Sequence, residues 1–270
     1  MKIEKWIKEN TYSLAGKTVA VTGSTGGLGQ KVCFYLAELG ANFIFLNRNL
    51  VKSKALEDKI LEKFPNCKIE HFVTDMEDIA SVERAGEFLK EKRPDVLILN
   101  AGAYKVQPQK VFKINLLAPY KLASVCDFAK VVIVGSLAHK WAKLTDKCKK
   151  DIKIYGLSKR FLMFALTEKF KGKKFAIAHP GVAYTNITSH YPQIFIPFIK
   201  FFMKIIFPST KKASLSIVKA VFDDSEYGTW IGPRIFDVWG KPKHKKIKTF
   251  SSEEGLKMLD IVDKWVNGRF

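Results

Sequence analysis

The sequence predicts an α/β protein, a single doubly wound domain whose mostly parallel sheet carries helices on both faces. Three observations lead to it. Short apolar runs alternate along the chain with longer amphipathic stretches, the order expected of strand–crossover–strand units with right-handed crossovers. The runs are rich in Val, Ile, Leu and Phe and lack a polar alternate, as strands covered on both faces do. No linker, composition shift or internal repeat divides the 270 residues, so residues 1–270 read as one domain.

In chain order, Thr18 to Val21 is the first strand, and a glycine-rich turn leads from it into a helix over Leu28 to Leu39. Asn42 to Leu46 is the second strand, followed by a helix over Lys52 to Phe64. Lys68 to Val73 is the third, followed by a helix over Asp78 to Lys90. Val96 to Leu99 and Val131 to Val134 are the fourth and fifth strands. The long helix Tyr155 to Phe170 then leads to the sixth, Phe175 to Ala178.

Charge is the unusual part of the composition: 46 Lys+Arg against 26 Asp+Glu, a net +20 and a pI near 9.7. Such a balance suggests a nucleic-acid or anionic-membrane partner. The basic residues are 40 Lys and only 6 Arg, however, and readers of phosphate and bases lean on the Arg fork. The excess therefore reads as surface lysine, which codon bias in an AU-rich genome also produces, and no recognition motif for a specific nucleic acid accompanies it. Cys33, Cys67, Cys126 and Cys148 form no C-x-x-C pair, and the sequence shows no clustered metal ligands. Met1 to Asn10 lacks the apolar core of a secretory signal. Free thiols in a reducing, cytoplasmic setting are expected.

Chemistry enters at the turn Thr22-Gly23-Ser24-Thr25-Gly26-Gly27-Leu28-Gly29. Glycines let a backbone turn tightly and approach a pyrophosphate, which then sits at the positive end of the following helix. A strand before the turn and a helix after it are the context that such a loop requires. Tyr155 and Lys159 are four apart and share a helix face. An ammonium beside a phenol favours the phenolate, so the pair predicts a lowered tyrosine pKa and a general acid or base for a carbonyl or alcohol oxygen. Ser136 ends the fifth strand, at the carboxyl edge where open α/β sheets bind ligands, and its hydroxyl is placed to polarise the same oxygen.

The glycine spacing is T-G-x-x-x-G-x-G, with Gly23, Gly27 and Gly29 in its slots. It resembles that of the short-chain dehydrogenase/reductases, and further matches follow in that family's order over nearly the whole chain. They are Asp75 after the third strand, Asn100-Ala101-Gly102 after the fourth, Asn115 on the next helix, and Ser136. Tyr155-Gly156-Leu157-Ser158-Lys159 follows as Y-x-x-x-K, then Pro180-Gly181 with Thr185 as P-G-x-x-x-T. The resemblance implies a Rossmann-type fold and a catalytic set of Asn115, Ser136, Tyr155 and Lys159. Lys159 also grips the nicotinamide ribose, and Asn115 positions a water that relays protons. It implies cofactor contacts from Gly23, Ser24, Thr25, Gly27, Leu28 and Gly29, from Asp75 and Met76 at the adenine, and from Asn100, Ala101 and Gly102. Tyr155, Lys159, Pro180, Gly181 and Thr185 complete them.

Cofactor choice is read at Leu46-Asn47-Arg48-Asn49. An acidic residue there binds the ribose 2′-hydroxyl, whereas Asn47 with Arg48 suits a 2′-phosphate, to which Ser24 adds a hydrogen bond. The cofactor expected is NADP(H). Leu46-Asn47-Arg48, Ser136-Leu137-Ala138-His139, the 19 positions from Ser136 to Tyr155 and His179-Pro180-Gly181 resemble the branch of retinol dehydrogenases and NADP-linked carbonyl reductases. The stretches from Asn100 to Asn115 and from Asn115 to Ser136 are shorter than that branch's. They trim the helix that usually forms the family's oligomer and leave a homo-oligomer open. His139 and His179 flank the site as supporting residues.

After Thr185 a substrate flap is expected over residues 186–210. Its segment Tyr191 to Phe207 is strongly apolar, with Lys200 and Lys204. Three readings stay open: a lid over a lipophilic carbonyl or alcohol, a peripheral membrane contact, and a helix packed on the core. The basic cluster Lys241, Lys243, His244, Lys245, Lys246 and Lys248 reads as a solvated loop, with a membrane-surface role as the alternative. The expected function is NADP(H)-dependent hydride transfer between nicotinamide and a lipophilic small-molecule carbonyl or alcohol, with Tyr155 as general acid or base. Two competing classes are a nucleotide-sugar epimerase and a non-catalytic NADP-binding sensor or membrane-associated protein. The lack of a distinct substrate domain beyond Thr185 weighs against the first, and the intact catalytic set against the second.

Overall fold

The computed structural model describes residues 2–125, 128–143, 150–181 and 209–268. Thr185, the 186–208 part of the expected flap, Cys126 and Cys148 lie outside the described residues. Helix α1 (Ile3–Asn10) precedes β1 (Thr18–Thr22), α2 (Gly27–Glu38), β2 (Asn42–Asn47), α3 (Leu50–Leu61), β3 (Ile69–Val73), α4 (Ile79–Lys92) and β4 (Val96–Leu99). Then come α5 (Pro108–Phe112), a π turn over Lys113–Leu117, α6 (Ala118–Ser124) and β5 (Lys130–Val134). A 3₁₀ turn over Leu137–Trp141 leads on to α7 (Asp151–Lys169) and β6 (Phe175–Ala178). Last are α8 (Thr210–Ala213), α9 (Leu215–Phe222), β7 (Thr229–Ile235), β8 (Trp239–Lys246) and α10 (Ser252–Val266).

The strands form one sheet in the order β3-β2-β1-β4-β5-β6-β7-β8. Neighbours pair in parallel until β8, which runs antiparallel to β7. The order reverses between β1 and β4, and ligands bind at the carboxyl edge of such a crossing. Strands β1, β4, β5 and β6 are buried along nearly their whole length. Their alternate side chains feed two cores. One packs Val19, Val21, Phe43, Phe45 and Ile98 against α2, α3 and α9. The other packs Leu97, Leu99 and Ile133 against α4, α6, α7 and α10. Each large apolar side chain so buried contributes roughly 1.5–3 kcal/mol. Helix α7 is buried almost all round, which fixes the residues it carries. Asn49, Asp78 and Ser251 cap α3, α4 and α10 by accepting from the amides of Lys52, Ala80 and Glu254, each cap adding about 1 kcal/mol.

Two expectations are corrected. Strand β3 is an edge, not a doubly covered strand: Val73 is 52% exposed, and nothing pairs with it beyond β2 among the described residues. The basic cluster near the C-terminus is not a solvated loop but largely strand β8. Lys241, Lys243 and Lys246 project from an edge strand that also contains Pro242. Lysine and proline on an edge oppose pairing with another chain, so these charges have a physical role without any anionic partner. Among the described residues no helix is long and apolar enough to cross a membrane.

Candidate active site

A cavity of about 860 Å³ runs along the carboxyl edge of the sheet, from the glycine turn to the start of α7. Its first end is made of backbone. Gly23 has φ +66°, in the left-handed region that suits glycine. A Cβ on Gly29 would strike the Gly23 carbonyl and come within 2.9 Å of the Asn100 amide nitrogen and of Ser24 Cα. Asn100 fixes the turn by donating from Nδ2 to the carbonyls of Thr22 (3.1 Å) and Gly23 (2.9 Å). Thr22 Oγ1 accepts from the amides of Asn100 and Ala101, both at 3.0 Å. Helix α2 starts at this turn with no side-chain cap, so its first N–H groups are left to a ligand.

The structure brings Gly23, Thr25, Gly27, Leu28, Gly29, Asn47, Arg48, Asp75, Met76, Asn100, Ala101, Gly102, Pro180 and Gly181 to the wall of this one cavity, with Ser136, Tyr155 and Lys159. Ser24 and Asn115 stand behind the wall rather than on it. The buried Ser24 hydroxyl accepts from Asn47 Nδ2 at 2.7 Å, which leaves its own proton to donate. That amide also donates to Ser53 Oγ at 2.9 Å. The polar chain continues through His71 Nδ1 (2.9 Å from Ser53) to Glu57 (2.8 Å from His71 Nε2). Arg48 is 71% exposed and lies 3.8 Å from Glu77 at the cavity rim.

Asn115 lies in the π turn, fully buried. Its Oδ1 accepts from the Ala103 amide at 2.7 Å, and its Nδ2 donates to the Ala103 carbonyl (2.9 Å) and to Ser158 Oγ (3.1 Å). Its side chain therefore clamps the loop after Asn100-Ala101-Gly102.

At the second end, Ser136 and Tyr155 share the cavity wall, and the Ser136 hydroxyl favours the ionised form of the Tyr155 phenol. Lys159, 2% exposed, donates from Nζ to the Val134 carbonyl at 3.0 Å. Burial lowers the Lys159 ammonium to about 8. The expected lowering of Tyr155 is corrected: burial pushes its phenol up, Tyr104 adds to the rise, and only the Ser136 hydroxyl opposes it. The lysine's charge is directed to the Val134 carbonyl instead of the phenol.

Several contributors carried no assigned role in the sequence. Tyr104, Val106, Leu137, Ala138, Trp141 and Ile152 line this end, with Tyr104 edge-on to Tyr155 at 5.4 Å between ring centroids. Gly156 lets α7 approach the 3₁₀ turn, since a Cβ there would collide with the Ala138 carbonyl. A glycine inside a helix costs about 0.5–1 kcal/mol, and this was the visible signal of a close contact. His139 donates from Nδ1 to the Ser136 carbonyl at 2.7 Å, and its ring meets Trp230 edge-on. Trp230 stacks on His179 at 4.7 Å. Burial lowers His139 to about 4 and His179 to about 3, so both are neutral at pH 7.

The uncapped helix end, the glycine turn, the basic rim and the buried lysine fit a dinucleotide laid along the cavity. Comparison with known proteins agrees with this layout. The family model for short chain dehydrogenases matches residues 17–153. An uncharacterized oxidoreductase of Schizosaccharomyces pombe is 27% identical over 225 residues, 70% of this chain and 66% of the relative. The chain spans about half the length of the curated relatives it matches. Among solved structures, an uncharacterized protein from Mycobacterium paratuberculosis superposes with a TM-score of 0.71 at 20% identity, over 96% of both chains. L-sorbose reductase from Gluconobacter frateurii, complexed with NADPH and L-sorbose, superposes with a TM-score of 0.63 at 17% identity, over 78% of this chain and 94% of that one. With the family model covering more than half of the sequence and the fold and loop order in accord, the chain belongs to the short-chain dehydrogenase family.

Proposed function

We propose that the chain is an NADP(H)-dependent oxidoreductase that interconverts a lipophilic carbonyl compound and its alcohol. The observation that carries this reading is the placement of Ser136, Tyr155 and Lys159 at one end of a single cavity whose other end is the glycine turn. Nicotinamide, when bound, supplies or accepts the hydride. This chain's residues bind, orient and move the proton.

Ser136 Oγ and the Tyr155 hydroxyl converge on the position of the substrate oxygen. As negative charge develops on that oxygen, the Tyr155 phenol gives it a proton. Burial keeps the phenol protonated at neutral pH, the form a general acid needs. In the oxidising direction the Ser136 hydroxyl favours the phenolate and eases removal of the alcohol proton. Lys159, largely charged below its pKa of about 8, lines the cavity and would hold the nicotinamide ribose. Asn115 acts through the backbone, holding Ala103 and hence Tyr104 at the substrate wall. Leu137, Ala138, Trp141, Ile152, Val106 and Tyr104 make that wall apolar, which favours a substrate with an apolar body.

Selectivity for the 2′-phosphate is assigned to Arg48. Its exposed pairing with Glu77 at 3.8 Å is weak, and a phosphate offers the guanidinium a bidentate partner instead. Arg48→Ala is expected to weaken NADPH binding about tenfold, as the loss of roughly 1.4 kcal/mol does, while leaving NADH binding unchanged. Equal effects on both cofactors would remove Arg48 from this role. The reaction class is tested by supplying NADPH deuterated at the transferable position with an aromatic aldehyde. Deuterium on the alcohol carbon is the expected result, and cofactor binding without label transfer would contradict the assignment.

A further inference from the structure

Arg160 follows Lys159 on α7 but points to the other side, where it is 5% exposed. Four of its five N–H groups have partners. Nε donates to Glu254 Oε1 at 2.7 Å and Nη2 to Glu254 Oε2 at 2.5 Å, a two-pronged carboxylate contact. Nη2 also donates to the Thr249 carbonyl at 3.0 Å, and Nη1 to the His139 carbonyl at 3.1 Å. The guanidinium lies 4.6 Å from the centroid of the Phe164 ring.

The last of those bonds reaches the candidate catalytic serine. His139 belongs to the 3₁₀ turn that begins at Ser136, and both its amide (3.2 Å) and its Nδ1 (2.7 Å) donate to the Ser136 carbonyl. Within the same turn the Ala138 amide donates to Ser136 Oγ at 3.2 Å. Arg160 thus grips the middle of the turn that holds Ser136 on the cavity wall beside Tyr155, and Glu254 orients Arg160 from the first turn of α10.

Docking α10 does not require this pair. Met258 and Val262 are fully buried in the core, Trp265 stacks on Phe161 at 5.6 Å, and Tyr120 donates to Asp263 at 2.6 Å. An apolar pair at a buried position commonly stabilises as well as an ion pair does, because two desolvated charges must first recover their lost hydration. A pair of apolar side chains cannot, however, give a directed hydrogen bond to the His139 carbonyl. That bond is what the arginine adds.

We propose that Arg160 and Glu254 are positioning residues for Ser136, so that the first turn of α10 is part of the catalytic apparatus although it lies beyond the stretch matched by the family model. The inference rests on the catalytic reading of Ser136 and Tyr155 given above. It adds a route by which a helix about a hundred residues downstream in sequence sets the geometry of that pair.

The test replaces both partners at once, Arg160→Met with Glu254→Leu, so that no buried charge is left alone, and Glu254→Gln serves as a milder second variant. NADPH affinity, melting temperature, kcat, KM and the pH dependence of alcohol oxidation are measured for each. The double variant is expected to bind NADPH within about twofold of wild type, the scatter of independent sites. Its kcat is expected to fall about 10- to 100-fold, the cost of a misplaced reacting group. Displacement of the Ser136 hydroxyl from the phenol leaves Tyr155 less acidic, so the ionisation governing oxidation moves to higher pH. Glu254→Gln falls between the two, with the same direction of movement. In a Ser136→Ala background the double replacement adds little further loss, because its route runs through that serine.

A fall in kcat with an unmoved pH profile overturns the proposal, as does an equal loss in the Ser136→Ala background, since both mark a purely structural pair. Failure of the underlying reading looks different: Ser136→Ala and Tyr155→Phe then retain wild-type turnover, and the present inference falls with it.

Discussion

The two ends of the cavity, one proposed for the cofactor's phosphates and the other for catalysis, are built from different materials. The phosphate end is backbone: a glycine with positive φ, an uncapped helix start, and a turn held by Asn100 and Thr22. The catalytic end is side chain: Ser136, Tyr155 and Lys159, with His139, His179 and Trp230 behind them. The first resists changes of pH and has no tolerance for added atoms. The second carries four ionisable groups in burial, Tyr155, Lys159, His139 and His179, and depends on partners far away in sequence. One end is specified by shape, the other by electrostatics.

Acid provides the largest predicted effect on this contrast. His139 and His179 are neutral in the fold and take up protons once unfolded, since burial holds them at about 4 and about 3. The unfolded chain therefore binds more protons below the ordinary histidine pKa, and stability is lost as pH falls from about 6.5 toward those values. Between pH 7 and 5 the pair together is expected to remove on the order of 3–4 kcal/mol. Urea unfolding followed across that range checks it, and His179→Phe should remove about half of the pH slope.

Lys159→Met comes next. Burial holds the ammonium near 8, below its unfolded value, so at pH 7 it stays mostly charged and that charge costs the fold stability. Removing it is expected to raise stability by on the order of 2–4 kcal/mol while turnover collapses. A melting temperature that falls would show that the bond to the Val134 carbonyl outweighs the burial. The mirror experiment at the phosphate end is Gly29→Ala. Its new methyl meets backbone and the Asn100 clamp, costing roughly 1–3 kcal/mol and weakening NADPH by the corresponding ten- to hundredfold. That variant should bind poorly at every pH. A pH-dependent defect would erase the distinction between the two ends.

How much was legible in the sequence follows the same division. The glycine turn was readable because its requirements are local: spacing, a strand before it and a helix after it. The parallel core strands were readable because both of their faces are buried. Strand β7 was hidden by Gly232 and Pro233, and β8 by its lysines, since neither shows the alternation that marks a strand. The direction of a side chain is not encoded in its spacing, so Ser24 and Asn115 took positions on the wall in the sequence reading and behind it in the fold. The lowered tyrosine pKa failed for the same reason: sharing a helix face with Tyr155 did not determine where Lys159 Nζ would bond. Arg160 stood in plain view beside Lys159, but its meaning depends on Glu254, 94 positions away, and no local pattern joins them.

Proton transfer to a bound carbonyl substrate is assigned to Tyr155. Nicotinamide oxidation by wild type and by Tyr155→Phe, with NADPH affinity determined on the same samples, tests it most directly. Turnover is predicted to fall by about 10²–10⁴, the usual loss when a general acid is removed, with the dissociation constant of NADPH unchanged. A Tyr155→Phe protein that oxidises NADPH at the wild-type rate would contradict the account.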